Sequence, residues 1–213
     1  LTSIKESFKT NANDAEAHRA QAEVYRQLAL DDVAHNRSPT ENLANAKKAI
    51  EKSILISKNS ADTYLLQAQL LIIEARDLLK HGHSPLSGLQ EARTAAERAR
   101  ELNPRDPGSQ LRIAEIAHVT TEWNLLKNLP IDKPINEGLQ AIEGSLDLNS
   151  GSPVALAMRG QLLYLQAKAA TSGEQKKNLA QQAVQQLRQA LKKNPLLQRN
   201  YGPLLNEVST LAQ

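Results

Sequence analysis

The sequence predicts an all-α solenoid of repeated helix pairs, and three observations carry this prediction. Small residues recur every 46 positions, at Ala22, Ala68, Ala114 and Gly160. A second small series keeps the same interval, with its last member one residue early, at Ala46, Ala92, Gly138 and Ala183. Asparagines that follow apolar helical stretches stand at Asn59, Asn103, Asn149 and Asn194. A lone helix pair cannot bury its apolar face, so neighbouring pairs must stack on one another.

The first helix of each pair is expected near 14–35, 61–81, 107–128 and 153–171. Within 63–79, "TYLLQAQLLIIEARDLL", apolar residues recur at steps of three and four, which is typical of a helix with one buried face. No alternation of the kind that marks a strand persists there. We therefore expect this helix, and its equivalents in the other units, to pack against its own partner helix.

The second helices are expected near 40–57, 86–102, 135–148 and 174–193. Ser84 suits an N-cap and Pro85 suits the first helical position, where a missing N–H costs nothing. Ser38-Pro39 repeats this arrangement 46 residues earlier, and Asp132 before Pro134 approximates it. Asn-Pro at 103–104 and at 194–195 ends a helix, because the residue before proline is displaced from the helical region.

The two ends of the chain are assigned from the same register. Residues 1–13 are expected to be the tail of a preceding second helix, and the parent chain is expected to continue upstream. Residues 14–195 form four repeats of about 46 residues. Residues 196–213 hold a capping helix near 200–212, whose Tyr201, Leu204 and Leu205 should pack on the fourth pair.

The composition favours helices and excludes several kinds of site. Hydrophobic residues make up 40% of the chain and aromatic residues only 3%, so Ala, Leu and Ile must build the core. Cysteine is absent, which excludes disulfides, cysteine-based zinc sites and thiol nucleophiles. We expect a cytoplasmic location. The longest apolar stretch, 65–73, is far shorter than the ~20 residues that span a bilayer, so no membrane insertion is expected.

The spacing of small residues resembles that of tetratricopeptide repeats. The family places a small and then a large apolar residue in its first helix, two alanines in its second helix and a proline after it. Here Ala68, Leu71, Ala92, Ala99 and Pro104 stand in those roles. The family's unit has about 34 residues, and both helices are lengthened around the inner turn to reach 46. The resemblance implies a right-handed α-α superhelix.

The phrase "NPLLQRNYGPLL" at 194–205 resembles the end of the C-terminal extensions of some bacterial serine/threonine protein kinases. This resemblance implies a regulatory or scaffolding region downstream of a kinase. The chain itself contains no glycine-rich phosphate loop, no HRD-type catalytic loop and no DFG, so we expect it to be non-catalytic and to need no cofactor.

A protein or peptide is the partner that the family resemblance implies, because first helices line the concave face of such arrays. Carrying the family's groove positions over marks Arg19, Glu23, Arg26, Leu65, Gln69, Ile72, Ile73, Leu111, Glu115, His118, Val119, Gln161, Tyr164 and Leu165. We expect Ile72, Ile73, Tyr164 and Leu165 to form an exposed apolar patch in this groove.

Other candidate sites have simpler interpretations. His81 and His83 lie at a helix C-terminus, where a protonated imidazole favours the helix dipole, so no metal site is expected. Residues 1–150 hold 18 Lys+Arg against 21 Asp+Glu, whereas residues 151–213 hold 8 against 2. This diffuse basicity does not predict nucleic-acid binding. Trp123 either packs on the loop 127–134 or serves as an interface anchor.

Two alternatives to a binding scaffold remain at this point. If the concave face is filled by its own side chains, the chain is a structural spacer or a self-association element. A pocket between the long helices would instead suit a small-molecule sensor.

Overall fold

The computed structural model describes residues 14–213, so the helix tail expected at residues 1–13 lies outside the described residues. The described chain is all-α and contains no strand. Its α-helices are α1 Ala15–Ala34, α2 Thr40–Ile56, α3 Ala61–Lys80, α4 Leu86–Leu102, α5 Pro107–Leu126, α6 Asp132–Leu148, α7 Pro153–Ala169, α8 Gly173–Lys193 and α9 Gln198–Leu211. A short 3-10 helix, Pro195–Leu197, precedes α9. None of these helices is both long enough and apolar enough to cross a bilayer.

The helices repeat in length as well as in sequence. In each of the first three pairs a helix of 20 residues is followed by one of 17. The fourth pair differs, because α7 has 17 residues and α8 has 21. The prediction of four helix pairs and a last helix is thus confirmed for the described residues.

Two predicted helix starts need correction. Helix α6 begins at Asp132 rather than near 135, because Pro134 falls in its first turn, where an N–H has no partner inside the helix in any case. The N-cap role predicted for Ser84 is wrong by one position. Pro85 occupies the cap position with a helical backbone (φ −87°, ψ −6°), and the Ser84 hydroxyl accepts only a long 3.5 Å bond from the Leu86 N–H.

The turns inside the first three pairs share one geometry. Asn36, Gly82 and Asn128 lie 46 residues apart and have φ values of 55°, 76° and 54°. The N–H of each bonds three residues back, and the next N–H bonds five residues back, as from His83 to the Leu78 carbonyl (2.9 Å). This pair of hydrogen bonds is the Schellman motif at the C-terminus of a helix, which requires a residue with a left-handed backbone. The turn between α7 and α8 ends differently, because the backbone of Ala170 is extended.

The chain divides into two compact units, the first ending at Arg112 and the second running from Ile113 to Gln213. In the first unit α1 packs on α2 and α3 on α4, while α3 also contacts both α1 and α2. Its core joins three helices and consists of Ala22, Ala29, Leu43, Ala46, Ala49, Ile50, Leu66 and Leu70. Adjacent helix pairs in this unit therefore share one apolar core.

In the second unit α7 packs along α8, α6 contacts α7, and α9 lies against α8 and α7. The small residues of the repeat stand where these helices approach most closely. A Cβ added to Gly160 would lie 2.7 Å from Leu187 Cγ and 3.2 Å from the Ala183 carbonyl oxygen. A Cβ added to Gly138 would lie 2.6 Å from a Leu162 methyl group. The prediction that small residues permit close helix contact is confirmed at these positions.

Candidate binding surfaces

The polar end of the predicted groove is accessible in the first unit. We call this surface the α1–α3 row, and its residues are all partly exposed: Arg19, Glu23, Arg26, Leu65, Gln69 and Ile73. The first three lie on α1 and the others on α3, two helices that contact each other. Since the row combines charged, amide and apolar side chains, it offers several kinds of contact to a partner.

Arg26 is held in place by Glu23 one turn before it. Its Nε donates to Glu23 Oε2 at 2.9 Å and its terminal nitrogen donates to Oε1 at 2.6 Å. Gln27 Nε2 donates a third bond to the same carboxylate at 3.0 Å. Arg26 and, more weakly, Gln27 hold the pKa of the Glu23 carboxyl below its usual range. The Arg26 side chain is only 17% exposed, so much of its conformational freedom is already lost.

Arg19 is fixed in the same way by Glu16. The guanidinium makes two hydrogen bonds to the Glu16 carboxylate, which raise the pKa of Arg19. Asp62, at the start of α3, adds a weaker effect in the same direction. Acidic side chains in the first turns of α1 and α3 therefore both act on this cation.

The apolar centre of the predicted groove is not open. The expectation that Ile72, Tyr164 and Leu165 face water is wrong, since Ile72 is 3% exposed, Tyr164 6% and Leu165 5%. His118 and Val119 are buried as well. Ile73 is partly exposed, but it packs against the core of the first unit. Burial of large apolar side chains is strongly favourable, at about 25 cal/mol per Å² of apolar surface removed from water.

Tyr164, one of the buried residues of the predicted groove, is covered by contacts from α9 and from Lys168. Its hydroxyl donates to the carboxylate of Glu207 in α9, and the Lys168 ammonium lies 5.3 Å from the centre of its ring. The last helix thus occupies part of the space that a partner was expected to use. Of the remaining predicted groove residues, Leu111, Glu115 and Gln161 are partly exposed.

His35, His81 and Trp123 make local structural contacts. His81 is the C-cap of α3, where its Nδ1 donates to the Asp77 carbonyl at 2.8 Å, and His35 repeats this bond on Asp31. Between residues 14 and 213 no cluster of three or more His, Cys, Asp or Glu could hold a metal ion. Trp123 is buried, and the ammonium of Lys127 lies 4.6 Å from its ring centre. Trp123 is therefore not an exposed anchor, and the first residue of the 127–134 loop, Lys127, contacts its ring.

A groove of about 570 Å³, which was not predicted from the sequence, lies between α8 and α9. Its α8 wall consists of Gln181, Val184, Gln185, Arg188 and Gln189, and Ser209, Ala212 and Gln213 line the other side. The signal was present, because glutamines at 181, 185 and 189 share one helix face with an arginine. In the sequence alone, however, this pattern of glutamines is the same as that of a helix face exposed to solvent, and only the position of α9 distinguishes the two.

No protein-family model matches this chain, and no curated protein matches it.

Proposed function

We propose that this chain is a non-catalytic scaffold that binds a protein or peptide through the α1–α3 row. We further propose that its helix pairs form a tetratricopeptide-like right-handed superhelix. The repeated alternation of helices of 20 and 17 residues, the recurrent left-handed turns and the close approach at Gly138 and Gly160 support this proposal.

The observation that carries the proposal is the preorganised pair of arginines on α1. Binding costs less when side chains are already fixed in the geometry they need. Arg26 and Arg19 are each fixed by a forked bond to a neighbouring glutamate, and both keep part of their surface accessible. Arginine is also enriched in protein interfaces, where its planar group stacks and donates several bonds. Leu65 and Ile73 supply apolar contact area beside them.

A random-peptide display library selected on the purified chain tests this function. We expect enriched peptides to bind the wild-type chain in fluorescence anisotropy, and to bind Arg26→Ala at least about ten-fold more weakly, the loss expected for a charge-assisted contact. Arg19→Ala should act in the same direction. The matched control is Lys48→Ala, which removes one positive charge from the exposed surface of α2.

Two results would count against the row as the binding surface. The library could yield no specific binder, or the selected peptides could bind the Arg26 and Lys48 variants equally well. Thermal melts of all three variants, recorded alongside, separate loss of binding from loss of folding.

We also propose that the chain is the regulatory region of a bacterial serine/threonine protein kinase. The phrase at 194–205 supports this context. In that context we propose a cytoplasmic location for the chain. Determination of the coding sequence upstream of Leu1 tests it, since a kinase domain there would support the proposal and an unrelated domain would overturn it.

A second candidate function is a structural spacer or self-association element. The burial of Ile72, Tyr164 and Leu165 favours it, because a filled apolar face leaves less surface for a partner. The spacer predicts no peptide binding at the α1–α3 row. Self-association predicts a molecular mass in light scattering that rises with protein concentration.

A further inference from the structure

The groove between α8 and α9 has the dimensions of a ligand site and a single apolar strip at its base. Its volume of about 570 Å³ lies within the range of about 300–1,000 Å³ that is typical of small-molecule pockets. Val184 is 8% exposed and forms the base, whereas Gln181, Gln185, Arg188 and Gln189 are exposed along the rim. All of these residues and the opposite wall belong to the second unit.

The three rim glutamines form a row whose spacing matches an extended peptide. They stand four residues apart on α8, which places them about 6 Å apart along the helix axis. The backbone groups on one edge of an extended chain repeat about every 6.6 Å. A glutamine amide both donates and accepts hydrogen bonds, so it can pair with a peptide N–H or with a peptide carbonyl.

One end of this row is already used to fix α9. Gln181 Nε2 donates to the Ala212 carbonyl at 3.4 Å, and Lys177 Nζ donates to the Gln213 carbonyl at 2.6 Å. Further along, no hydrogen bond or ion pair within residues 14–213 engages the side chains of Gln185, Arg188 or Gln189. The groove therefore has one anchored end and a stretch of accessible polar groups.

The charge around the groove indicates the kind of peptide. Residues 173–213 contain six Lys+Arg and two Asp+Glu, a net charge of +4. One of the two acidic residues, Glu207, accepts the bond from Tyr164. Arg188 lies on the rim of the groove, and a guanidinium can pair with a carboxylate through two parallel hydrogen bonds. The remaining basic residues add a longer-range attraction for negative charge.

We propose that the α8–α9 groove binds an extended acidic peptide. The amides of Gln185 and Gln189 bond its backbone, Arg188 pairs with one of its carboxylates, and Val184 contacts its non-polar atoms. This site consists of residues of the second unit, whereas the α1–α3 row consists of residues of the first. An experiment can therefore contradict peptide binding at the groove without contradicting binding at the α1–α3 row, and the reverse is also true.

The test uses a fluorescein-labelled Ser-Glu repeat octapeptide and a Ser-Gln octapeptide of equal length, with the whole chain. We expect saturable binding of the acidic peptide below about 1 mM and at least about ten-fold weaker binding of the neutral one. Arg188→Ala should weaken binding by about ten-fold or more, whereas Lys192→Ala, with the same loss of charge on the same helix, should change it less than about two-fold.

The amide row is tested separately from the charge. The double variant Gln185→Ala/Gln189→Ala should lose about ten-fold in affinity, the scale of two backbone hydrogen bonds. Gln182→Ala is the control, because Gln182 lies outside the groove lining and bonds Asn178 on its own helix. All these side chains are exposed, and thermal melts recorded in parallel should coincide with that of the wild type.

Several outcomes would overturn the proposal. Equal losses in the Arg188 and Lys192 variants would show diffuse attraction rather than a site. Tighter binding of a single-stranded oligonucleotide than of the acidic peptide would assign the groove to another class of partner. A dimer in sedimentation that is lost in Arg188→Ala would assign it to a second copy of the chain. If the acidic peptide did not bind at concentrations up to about 1 mM, the proposal that the groove binds such a peptide would be wrong.

Discussion

Tyr164 in α7 donates its phenolic hydrogen to the carboxylate of Glu207, 43 residues later in α9. The bond joins the last helix to the first helix of the fourth pair. Burial, and then the Glu207 carboxylate, raise the pKa of Tyr164 well above its usual range, because an ionised phenolate there would be desolvated beside a negative charge. Tyr164 therefore stays protonated in the folded protein at a pH where it ionises in the unfolded chain.

Replacement of Tyr164 by phenylalanine should lower the free energy of unfolding at pH 7 by about 1–2 kcal/mol, the range for a lost hydrogen bond to a charged acceptor that is partly solvated. A raised folded pKa gives stability that is complete below the unfolded pKa of about 10 and is lost as pH rises further. The difference between wild type and Tyr164→Phe should therefore shrink above about pH 10. Urea unfolding at pH 8 and at higher pH measures it.

Glu207→Gln is the companion variant for this bond. It keeps an acceptor for the Tyr164 hydroxyl and removes the charge, so it should cost less stability at pH 7 than Tyr164→Phe. If the wild type and Tyr164→Phe lost stability in parallel up to pH 11, Tyr164 would not be the group that titrates.

Gly160 is the position where an added methyl group should be most damaging. The new Cβ of Gly160→Ala would lie 2.7 Å from Leu187 Cγ and 3.2 Å from a carbonyl oxygen of α8, which cannot move without shifting the helix. Overpacking of this kind costs about 1–3 kcal/mol. We expect the thermal midpoint of Gly160→Ala to fall by several degrees.

Gly173→Ala makes the same chemical change at the start of α8, where an added Cβ meets nothing within 4 Å. It should leave the midpoint unchanged or raise it slightly, because alanine restricts the unfolded chain. Equal midpoints for the two alanine variants would mean that α7 and α8 lie further apart than the structure shows.

The left-handed turns can be tested at Gly82, where φ is 76° and an added Cβ would meet no neighbour. Gly82→Ala should cost about 1 kcal/mol, since the whole penalty is conformational. Gly82→Asn should cost less, because asparagine tolerates this backbone region and occupies the equivalent positions 36 and 128. Chemical denaturation should show that the free energy of unfolding decreases from the wild type (Gly82) to Gly82→Asn and then to Gly82→Ala. An alanine variant as stable as the wild type would contradict the turn geometry.

The burial of Ile72 can be tested by replacing it with a charged residue. Ile72→Asp would bury an unpaired carboxylate and should lower the free energy of unfolding by about 3 kcal/mol or more. Leu55→Asp is the matched control in the same unit, since Leu55 is 76% exposed and its replacement should change stability by less than about 0.5 kcal/mol. A mild effect at Ile72 would restore the open groove as the binding surface.

The helices could be predicted from the sequence because their signals are local. Asn-Pro pairs, Ser-Pro pairs and steps of three and four between apolar residues act within a few positions of one another. The close approach at Gly160 could be predicted for the same reason, because a small residue is needed wherever two long helices cross near their axes. The starts of α6 and α9 shifted by a few residues, because a proline and a 3-10 segment make those helix starts ambiguous, and the cap of α4 fell on Pro85 rather than Ser84.

The burial of Ile72 and Tyr164 could not be predicted in this way. Family positions mark which helix face a residue occupies, but they assume shorter helices than those of 20 residues found here. Whether a residue in the later turns is covered depends on distant segments, as Glu207 shows for Tyr164. The same limit applies to Gln185 and Arg188, which become a groove only when α9 lies beside them.

The 46-residue register of the turns has a consequence for how this chain can change length. One residue inserted into the first half of α3 would rotate the rest of that helix by about 100° about its axis. Ala75 would then leave the buried face. An insertion of a whole 46-residue segment would instead restore every helix ending, left-handed turn and close-packed glycine to an equivalent place. Duplication of complete segments is thus the tolerated route to longer forms, and descendants of a common ancestor should differ in size by multiples of one helix pair.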